Sequence, residues 1–229
     1  MERLTPWQRA ITALAVLKVV VAVALYAAAF ATKLPQATPR DLLMVAHIAA
    51  YGSAAVLLIV PGRRDLRATI LGVSFLLTAA VFADNAVKVV GAAPGLVVTT
   101  VRALFALQVD AFTGYFLWYF VQEFPRVATF GARAWIPRLG MRVSLAVGVT
   151  LFSVNVVYFV ASLFPGLSAL HGWLRFLARD HNGLYWPLQY MLSISGLLAL
   201  VWKARAAAIT ERRRVSLLIG GLEIGRAHV

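Results

Sequence analysis

The chain has 229 residues, of which 61% are hydrophobic and 14% are charged, and its formal net charge is +13. Soluble domains are about half apolar and about a quarter charged, so this composition excludes an ordinary soluble domain, and the basic excess without a base-reading module indicates cytoplasmic membrane loops rather than nucleic-acid binding. The absence of cysteine excludes disulfide frameworks, thiolate metal sites and cysteine nucleophiles.

Long apolar runs divide the chain into membrane spans. A span needs about 20 apolar residues to cross about 30 Å of hydrocarbon, and these runs are too long and too uniform for barrel strands. The predicted fold class is therefore all-α, a polytopic transmembrane helix bundle with six complete spans and a truncated seventh. The complete spans are predicted at Ala10–Thr32, Asp41–Val60, Ala68–Val90, Leu96–Val121, Met141–Phe164 and Gly183–Trp202.

The basic residues predict the orientation of these spans. They concentrate in the second, fourth and sixth loops, and basic loops stay in the cytoplasm. This places the N-terminus in the cytoplasm and the protein in a bacterial inner membrane. The first apolar run exceeds the about 7–15 residues of a cleaved signal, so we expect it to be retained. The clearest cytoplasmic determinants are Arg63, Arg64, Arg67, Arg212, Arg213 and Arg214.

The fifth loop carries basic residues on the opposite side, against this trend. Its leucines recur at helical spacing among two arginines, which predicts an amphipathic helix on the outer surface. A structural connector is the alternative. The residues that define this pattern are Leu167, Leu170, Leu174, Arg175, Leu177 and Arg179.

Charged side chains within predicted spans need a specific explanation, because each costs about 2.5–3.5 kcal/mol at the centre of a membrane helix. Asp84 and Lys88 lie one turn apart in the third span. They form a structural ion pair or, with Asn85, line a polar cavity.

The fourth span contains Arg102 and Asp110 on one helical face, and Asp110 is the most deeply placed acid in the chain. We expect a basic partner for Asp110, with Lys18 of the first span or Arg102 as candidates. The two readings are a structural pair and a role in sensing or proton relay.

Two further groups are weaker candidates. His47 and Tyr51 lie one turn apart in the second span. They form a proton or ligand site, or His47 is a buried histidine that is hydrogen-bonded to a neighbouring helix. His171, Asp180 and His181 in the fifth loop lack the spacing of a metal site. The candidate intramembrane polar core is thus Asp110, Arg102, His47, Asp84 and Lys88, without a predicted metal, cofactor or catalytic group.

The C-terminal part of the chain divides into two segments. Residues 215–222 begin a seventh span that is too short to cross a bilayer. Residues Ile224–Val229 resemble read-through of a DNA-sequencing adapter, so we expect 223–229 to be a non-biological tail and 1–222 to form one transmembrane domain.

Two passages carry a family resemblance. They are the aromatic run Tyr115–Phe120 with Phe124–Arg126 after it, and the arginine run Glu211–Val215 before Leu217–Leu222. Together with the span spacing, they resemble the N-terminal multi-span region of bacterial membrane-bound signalling proteins, the sensor histidine kinases of two-component systems and related metal-dependent serine phosphatases. The resemblance implies a cytoplasmic output domain beyond this sequence.

The function predicted from the sequence is therefore a membrane-embedded sensory or anchoring module, truncated before its output domain. Any kinase or phosphatase activity would belong to that missing part. We expect contact with the lipid bilayer and a homodimer through the bundle. The sequence predicts no particular ligand. A small transporter or permease subunit is the alternative, and a membrane-embedded enzyme has no motif in its favour.

Overall fold

The computed structural model describes residues 4–31, 38–62, 64–88, 95–125, 131–179, 183–213 and 215–216. Within these ranges the chain is helical and contains no strand. Short 3-10 turns cover Asp84–Lys88, Val109–Phe112 and Pro165–Leu167. The α-helices of this part of the chain are α1 (Pro6–Ala31), α2 (Pro39–Ile59), α3 (Leu66–Ala83), α4 (Leu96–Ala106), α5 (Thr113–Glu123), α6 (Ala132–Leu163), α7 (Ser168–Leu174) and α8 (Tyr185–Ala204).

The all-α class is confirmed, and five helical segments in the described ranges are long and apolar enough to cross a membrane. The predicted sixth span forms α8, whose polar residues, among them Gln189 and Lys203, leave it less apolar than the other five. The chain is therefore a helical membrane protein, and the count of six complete spans remains a prediction. The five segments are Pro6–Ala31, Pro39–Ile59, Leu66–Lys88, Leu96–Glu123 and Ala134–Leu163.

Two predicted spans differ from the structure in detail. The fourth, expected as one helix over Leu96–Val121, is divided into α4 and α5 by a non-helical step and a 3-10 turn. The fifth, expected to start at Met141, begins nine residues earlier at Ala132. This early part stays helical because Ile136 packs against the core while Arg138 remains exposed, so that the charge need not enter the bundle.

Helices α2 and α3 run in opposite directions. His47 of α2 stacks on Phe82 of α3 and Tyr51 packs on Phe75, which is an antiparallel pairing. At one end of the bundle, the ends of several helices pack together in one hydrophobic cluster. The residues of this cluster that lie at or near helix ends include Leu4, Ile59, Leu66, Phe124, Ile136 and Ala204.

We call this end of the bundle the basic end. The described topology determinants Arg64, Arg67, Arg212 and Arg213 lie at it, next to Leu66 and beyond Ala204. Arg63 and Arg214 lie outside the described residues, as do residues 217–229 with the predicted tail. The opposite end carries the last residue of α1, the start of α2 and the start of α8.

In α1 the small residues are buried and the large aliphatic residues are exposed, which is the opposite of a helix in a soluble protein. Its buried face carries Ala15, Ala22 and Ala29, whereas the larger Leu17 and Val20 are about half exposed. Small residues allow helix backbones to approach closely, and large aliphatic side chains are left for contact with lipid. The surface of this helix therefore suits a hydrocarbon environment.

α5 occupies the centre of the bundle between α3, α6 and α8. Gly140 of α6 lies directly against the indole ring of Trp118, so that no Cβ would fit there without movement of the ring. The Trp118 Nε1–H donates to the Leu192 carbonyl of α8 at 3.1 Å. At the basic end, Lys203 Nζ donates to the Val121 and Gln122 carbonyls, both at 2.8 Å.

The predicted amphipathic helix of the fifth loop is only partly formed. α7 spans Ser168–Leu174, and its side chain Trp173 is 87% exposed. Arg175 is also exposed, but Arg179 is not part of this surface. Its side chain turns into the bundle and is only 8% exposed, because the carboxylates of Asp84 and Asp110 lie within its reach.

Candidate intramembrane charge cluster and cavity

The site begins with the interruption of the fourth span. After α4 ends at Ala106, Leu107 and Gln108 have ψ values of 89° and 75°, outside the helical range. Such a break leaves carbonyl groups without their intrahelical partners. In hydrocarbon these groups must be satisfied by neighbouring side chains, because water is not available there.

Side chains from other helices satisfy these carbonyls. Lys18 Nζ of α1 donates to the Leu107 carbonyl at 2.9 Å and lies 3.4 Å from the Phe105 carbonyl. The Gln108 side-chain amide donates to the same Phe105 oxygen at 2.9 Å. On the other side of the break, the Gln189 amide of α8 donates to the Ala111 carbonyl at 2.9 Å. The break is thus held by α1 and α8.

Each end of the break also carries a charged side chain whose sign is opposite to that of the helix-dipole end beside it. Lys18 lies at the C-terminal end of α4, where the helix dipole is negative. Asp110 lies in the 3-10 turn that leads into α5, where the dipole is positive. Each charge is therefore stabilised by the half-helix that it faces.

Two acids and two bases form one ion-pair cluster at this level. Lys18 Nζ lies 2.6 Å from Asp84 Oδ1. Arg179 forms ion pairs with Asp84 and with Asp110, the latter at 3.3 Å. The charges alternate in sign along this chain of four groups and sum to zero. Such pairing explains how ionised side chains remain inside a membrane bundle.

Further hydrogen bonds complete the surroundings of Asp110 and Arg179. The Tyr185 hydroxyl donates to Asp110 Oδ2 at 2.8 Å. The Arg179 guanidinium donates to the Val81 carbonyl at 2.9 Å and to the Gln108 side-chain oxygen. Its flat side also faces the Trp186 ring at 5.0 Å. The guanidinium therefore ties α3, the break and α8 together.

A cavity of about 1320 Å³ adjoins the cluster. Asp84, Asp110 and Arg179 form part of its wall, and helices α2, α3, α4 and α8 supply most of the remainder. A volume of this size exceeds the about 300–1,000 Å³ of usual small-molecule sites. The charged cluster is thus placed beside a space that a ligand can occupy.

All five residues predicted for the polar core line this cavity, namely Asp110, Arg102, His47, Asp84 and Lys88. Only two of them belong to the ion-pair cluster, Asp84 and Asp110.

Three partner assignments differ from expectation. Asp84 pairs with Lys18 and Arg179, while Lys88 Nζ instead donates to Asn85 Oδ1 at 3.3 Å. Asp110 takes Arg179 as its ion-pair partner rather than Arg102. Lys18, the other candidate partner of Asp110, contacts Asp84 directly and also acts on the Asp110 carboxylate electrostatically.

His47 sits in an aromatic part of the cavity wall. Its ring stacks on Phe82 with a centroid distance of 4.5 Å, and its Nδ1 lies 2.7 Å from the Leu43 carbonyl. Tyr51 stacks on the same Phe82 ring at 5.8 Å. The hydrogen bond of His47 is therefore made within α2, and its contact with the neighbouring helix α3 is the stacking on Phe82.

The sequence analysis did not identify Arg179, Tyr185, Gln108 and Gln189 as members of the site. Arg179 offered one signal, since a basic residue on the side opposite the basic loops needs its own explanation. Its acidic partners lie 69 or more residues away along the chain, so spacing could not reveal them.

The fifth-loop histidine does not take part in a metal cluster within the described ranges. There, no group of three or more His, Asp or Glu side chains converges as metal ligands. His171 stacks on Tyr158 with a centroid distance of 4.1 Å. Asp180 and His181 lie outside the described residues.

Comparisons with known proteins bear on neither the family nor the activity. No protein-family model, no curated protein and no solved structure matches this chain.

Proposed function

We propose that this chain is a membrane-embedded sensory module in which a ligand in the cavity changes the packing of the helices. The observation that supports the proposal is the ion-pair cluster of Lys18, Asp84, Asp110 and Arg179 at the cavity wall. It joins α1, the end of α3, the broken fourth span and the segment before α8. A change at this point can therefore reach most of the bundle.

The cluster has the connectivity that a switch requires. Asp84 contacts two bases and Arg179 contacts two acids, so each can keep one partner when the other is displaced. A charged ligand that competes for one pair would favour a second arrangement without leaving a lone buried charge. A ligand shifts such an equilibrium only through its difference in affinity between the two states.

In this proposal the basic end faces the cytoplasm of a bacterial cell, because arginine-rich loops are retained there. α8 ends at Ala204 on that side, followed by the arginines of residues 205–213. The output domain that the resemblance implies would receive the signal from this end. The homodimer expected through the bundle belongs to this proposal as well.

The test is a distance measurement across the basic end. The chain has no cysteine, so the substitutions Arg64→Cys and Arg205→Cys provide two attachment sites for spin labels. The distance between the two labels is then measured. The variant Asp110→Asn removes one charge of the cluster and is expected to shift the distance between the labels by about 2–5 Å, as helix rearrangements do. The control Asp41→Asn removes a half-buried acid at the start of α2, at the opposite end of the bundle, whose described side-chain hydrogen bonds go to Thr38.

Helical content by circular dichroism must be the same in both variants. If Asp110→Asn does not fold, Asp84→Asn replaces it, since Asp84 belongs to the same cluster. A distance that is unchanged in the folded cluster variant would contradict the sensory proposal and leave a rigid membrane anchor.

The transporter alternative is supported by a different observation. A discontinuous helix with buried charges at the break, as found around Gln108, is a frequent feature of transporter binding sites. Proteoliposomes loaded with a pH-sensitive dye distinguish the two functions. If the unmodified protein collapses a pH gradient and Asp110→Asn does not, the result would favour a transporter. If the unmodified protein leaves the gradient intact and the variant shows the distance shift, the result would favour a sensor.

A further inference from the structure

We propose that the cavity binds an aromatic ligand, a planar ring that carries a hydroxyl or N–H donor. This inference deepens the proposed function, on which it rests, by naming the class of ligand. It is carried by two stacked aromatic walls of the cavity and by the ring of His47, whose second nitrogen can accept a hydrogen bond.

Four rings of α2 and α3 form one stacked wall of the cavity. His47 stacks on Phe82 with the ring planes 24° apart, and Tyr51 stacks on the same ring at 10°. Phe75 continues the series, with its ring centroid 6.1 Å from that of Tyr51. All four residues line the cavity. A planar ligand ring can extend such a series by offset or edge-to-face packing, which adds to the energy of simple apolar burial.

A second aromatic wall comes from α8. Trp186 stacks on Tyr190 with a centroid distance of 5.9 Å, and both residues line the cavity. The two walls lie at the same level of the bundle, because Arg179 faces the Trp186 ring and also donates to the carbonyl of Val81, the residue before Phe82. The cavity thus offers ring surfaces on the α3 side and on the α8 side.

The hydrogen bond of His47 determines which ring nitrogen carries the proton. Its Nδ1 lies 2.7 Å from the Leu43 carbonyl, which can only accept, so Nδ1 is the donor. In the neutral ring, Nε2 is then an acceptor. No described hydrogen bond engages this nitrogen, whereas the hydroxyls of Ser74 and Thr78 in the same wall donate to carbonyls of their own helix.

The depth of His47 in the bundle makes an unused acceptor costly. The residue lies about 12 Å from the first residue of α2 and about 18 Å from the last, at about 1.5 Å per residue. Hydrocarbon provides no partner for a polar atom at this depth. A ligand that donates to Nε2 while its ring packs on the aromatic walls would satisfy the nitrogen and fill the cavity beside it.

Binding can be measured by photo-cross-linking. The probe is 4-(hydroxymethyl)benzophenone, an aromatic alcohol that attacks nearby C–H bonds on illumination, and its matched control is 4-ethylbenzophenone, which has a similar shape without the donor. Both are titrated into the full chain in nanodiscs, and mass spectrometry quantifies labelling of Met44 in the cavity wall. Labelling of Leu17 and Val20, which are about half exposed on α1, corrects for partitioning into lipid.

The two probes test the donor. We expect the alcohol to saturate the corrected labelling of Met44 at a concentration about fivefold lower than the ethyl compound, which is the effect of one hydrogen bond. Equal saturation of the two probes would overturn the proposal. Labelling that rises without saturation for both probes would overturn it as well.

The acceptor is tested with His47→Phe, which keeps a ring for stacking on Phe82 but removes the nitrogen. We expect this variant to lose the preference for the alcohol and to bind 4-ethylbenzophenone unchanged. The matched control is His171→Phe, because His171 also stacks on a ring, that of Tyr158, but is not among the described lining residues. A preference for the alcohol that survives in His47→Phe would overturn the proposal.

The aromatic wall is tested with Phe82→Leu, which we expect to weaken binding of both probes by about threefold or more. The control is Phe176→Leu, since Phe176 is 62% exposed in the fifth loop. Helical content by circular dichroism must match the unmodified protein, and Tyr51→Leu in the same wall replaces Phe82→Leu if that variant does not fold. Unchanged affinity in the folded variant would overturn the proposal.

The distance measurement of the proposed function uses no ligand, so the two proposals can fail separately. A sensor for an aliphatic ligand would pass the distance measurement and fail the cross-linking test. A rigid membrane anchor that binds aromatic alcohols would give the reverse result.

Discussion

Lys18 Nζ lies 2.6 Å from Asp84 Oδ1, and the side chain of Lys18 has no exposed surface. The two residues belong to different membrane segments, α1 and the end of α3. Lys18 in the first span thus neutralises an acid of the third span. It also donates a hydrogen bond to the Leu107 carbonyl at the break in the fourth span. The stability of the bundle therefore depends on this pairing.

The first prediction concerns Lys18. Lys18→Met keeps the length of the side chain but leaves Asp84 and two carbonyls with fewer partners, so we expect a loss of about 3–5 kcal/mol in the free energy of unfolding. The matched control is Leu17→Met, because Leu17 is 49% exposed on the lipid-facing side. Its expected change is within about 1.5 kcal/mol. Unfolding with SDS in bicelles, followed by tryptophan fluorescence, measures both, and equal losses would refute the prediction.

The second prediction concerns Arg179. Its removal in Arg179→Met leaves Asp110 without its ion-pair partner and deprives Asp84 of one of two, which we expect to cost about 3–5 kcal/mol. Arg175→Met, four residues earlier on the exposed surface, is expected to change stability by about 0.5 kcal/mol or less. The same unfolding assay applies. A larger loss from Arg175→Met than from Arg179→Met would be incompatible with the cluster.

The third prediction tests the contact between α5 and α6. A methyl group in Gly140→Ala would meet the ring of Trp118, and we expect overpacking to cost about 1–3 kcal/mol. Gly52 of α2 has open space around its Cα, so Gly52→Ala is expected to be neutral or to stabilise by about 0.5–1 kcal/mol. The melting temperature should therefore fall in Gly140→Ala and stay the same or rise in Gly52→Ala. A gain in stability from Gly140→Ala would show that the two helices are not in close contact.

The fourth prediction concerns the basic end, where Lys203 holds the last carbonyls of α5. Lys203→Met leaves the Val121 and Gln122 carbonyls with one donor fewer, at an expected cost of about 1–3 kcal/mol. Arg205→Met removes an exposed charge two residues later and serves as the control. If both variants unfold at the same SDS fraction as the unmodified protein, the capping role of Lys203 is disproved.

The fifth prediction concerns orientation. In intact bacterial cells, a membrane-impermeant maleimide should label Ser168→Cys in α7 and should not label Arg212→Cys until the cells are opened. The reason is that arginine-rich segments stay in the cytoplasm. Both residues are exposed, so that accessibility on the protein does not bias the comparison. The reverse labelling pattern would invert the proposed topology.

Sequence reasoning was sufficient for the membrane segments, because hydrocarbon acts on each run of residues locally. The lengths and hydropathy of the runs predicted both ends of α1 and α2 to within four residues and the start of α3 to within two, and five membrane-length helical segments are confirmed. The end of the third span differs, because α3 stops at Ala83 and continues as a 3-10 turn to Lys88. It also identified Asp84, Asp110 and Lys18 as residues that need partners, since a charge in a span is costly whatever surrounds it.

The tertiary structure alone decided which charges meet and where a helix breaks. Arg179 comes from a loop between spans, and its spacing in the chain gives no sign of its contacts with Asp84 and Asp110. Neither residue at the interruption, Leu107 or Gln108, is a proline or glycine, so the sequence did not predict the break. It is stable because Lys18 and Gln189 reach its carbonyls from other helices. Such long-range satisfaction of polar groups depends on packing, which no local pattern encodes.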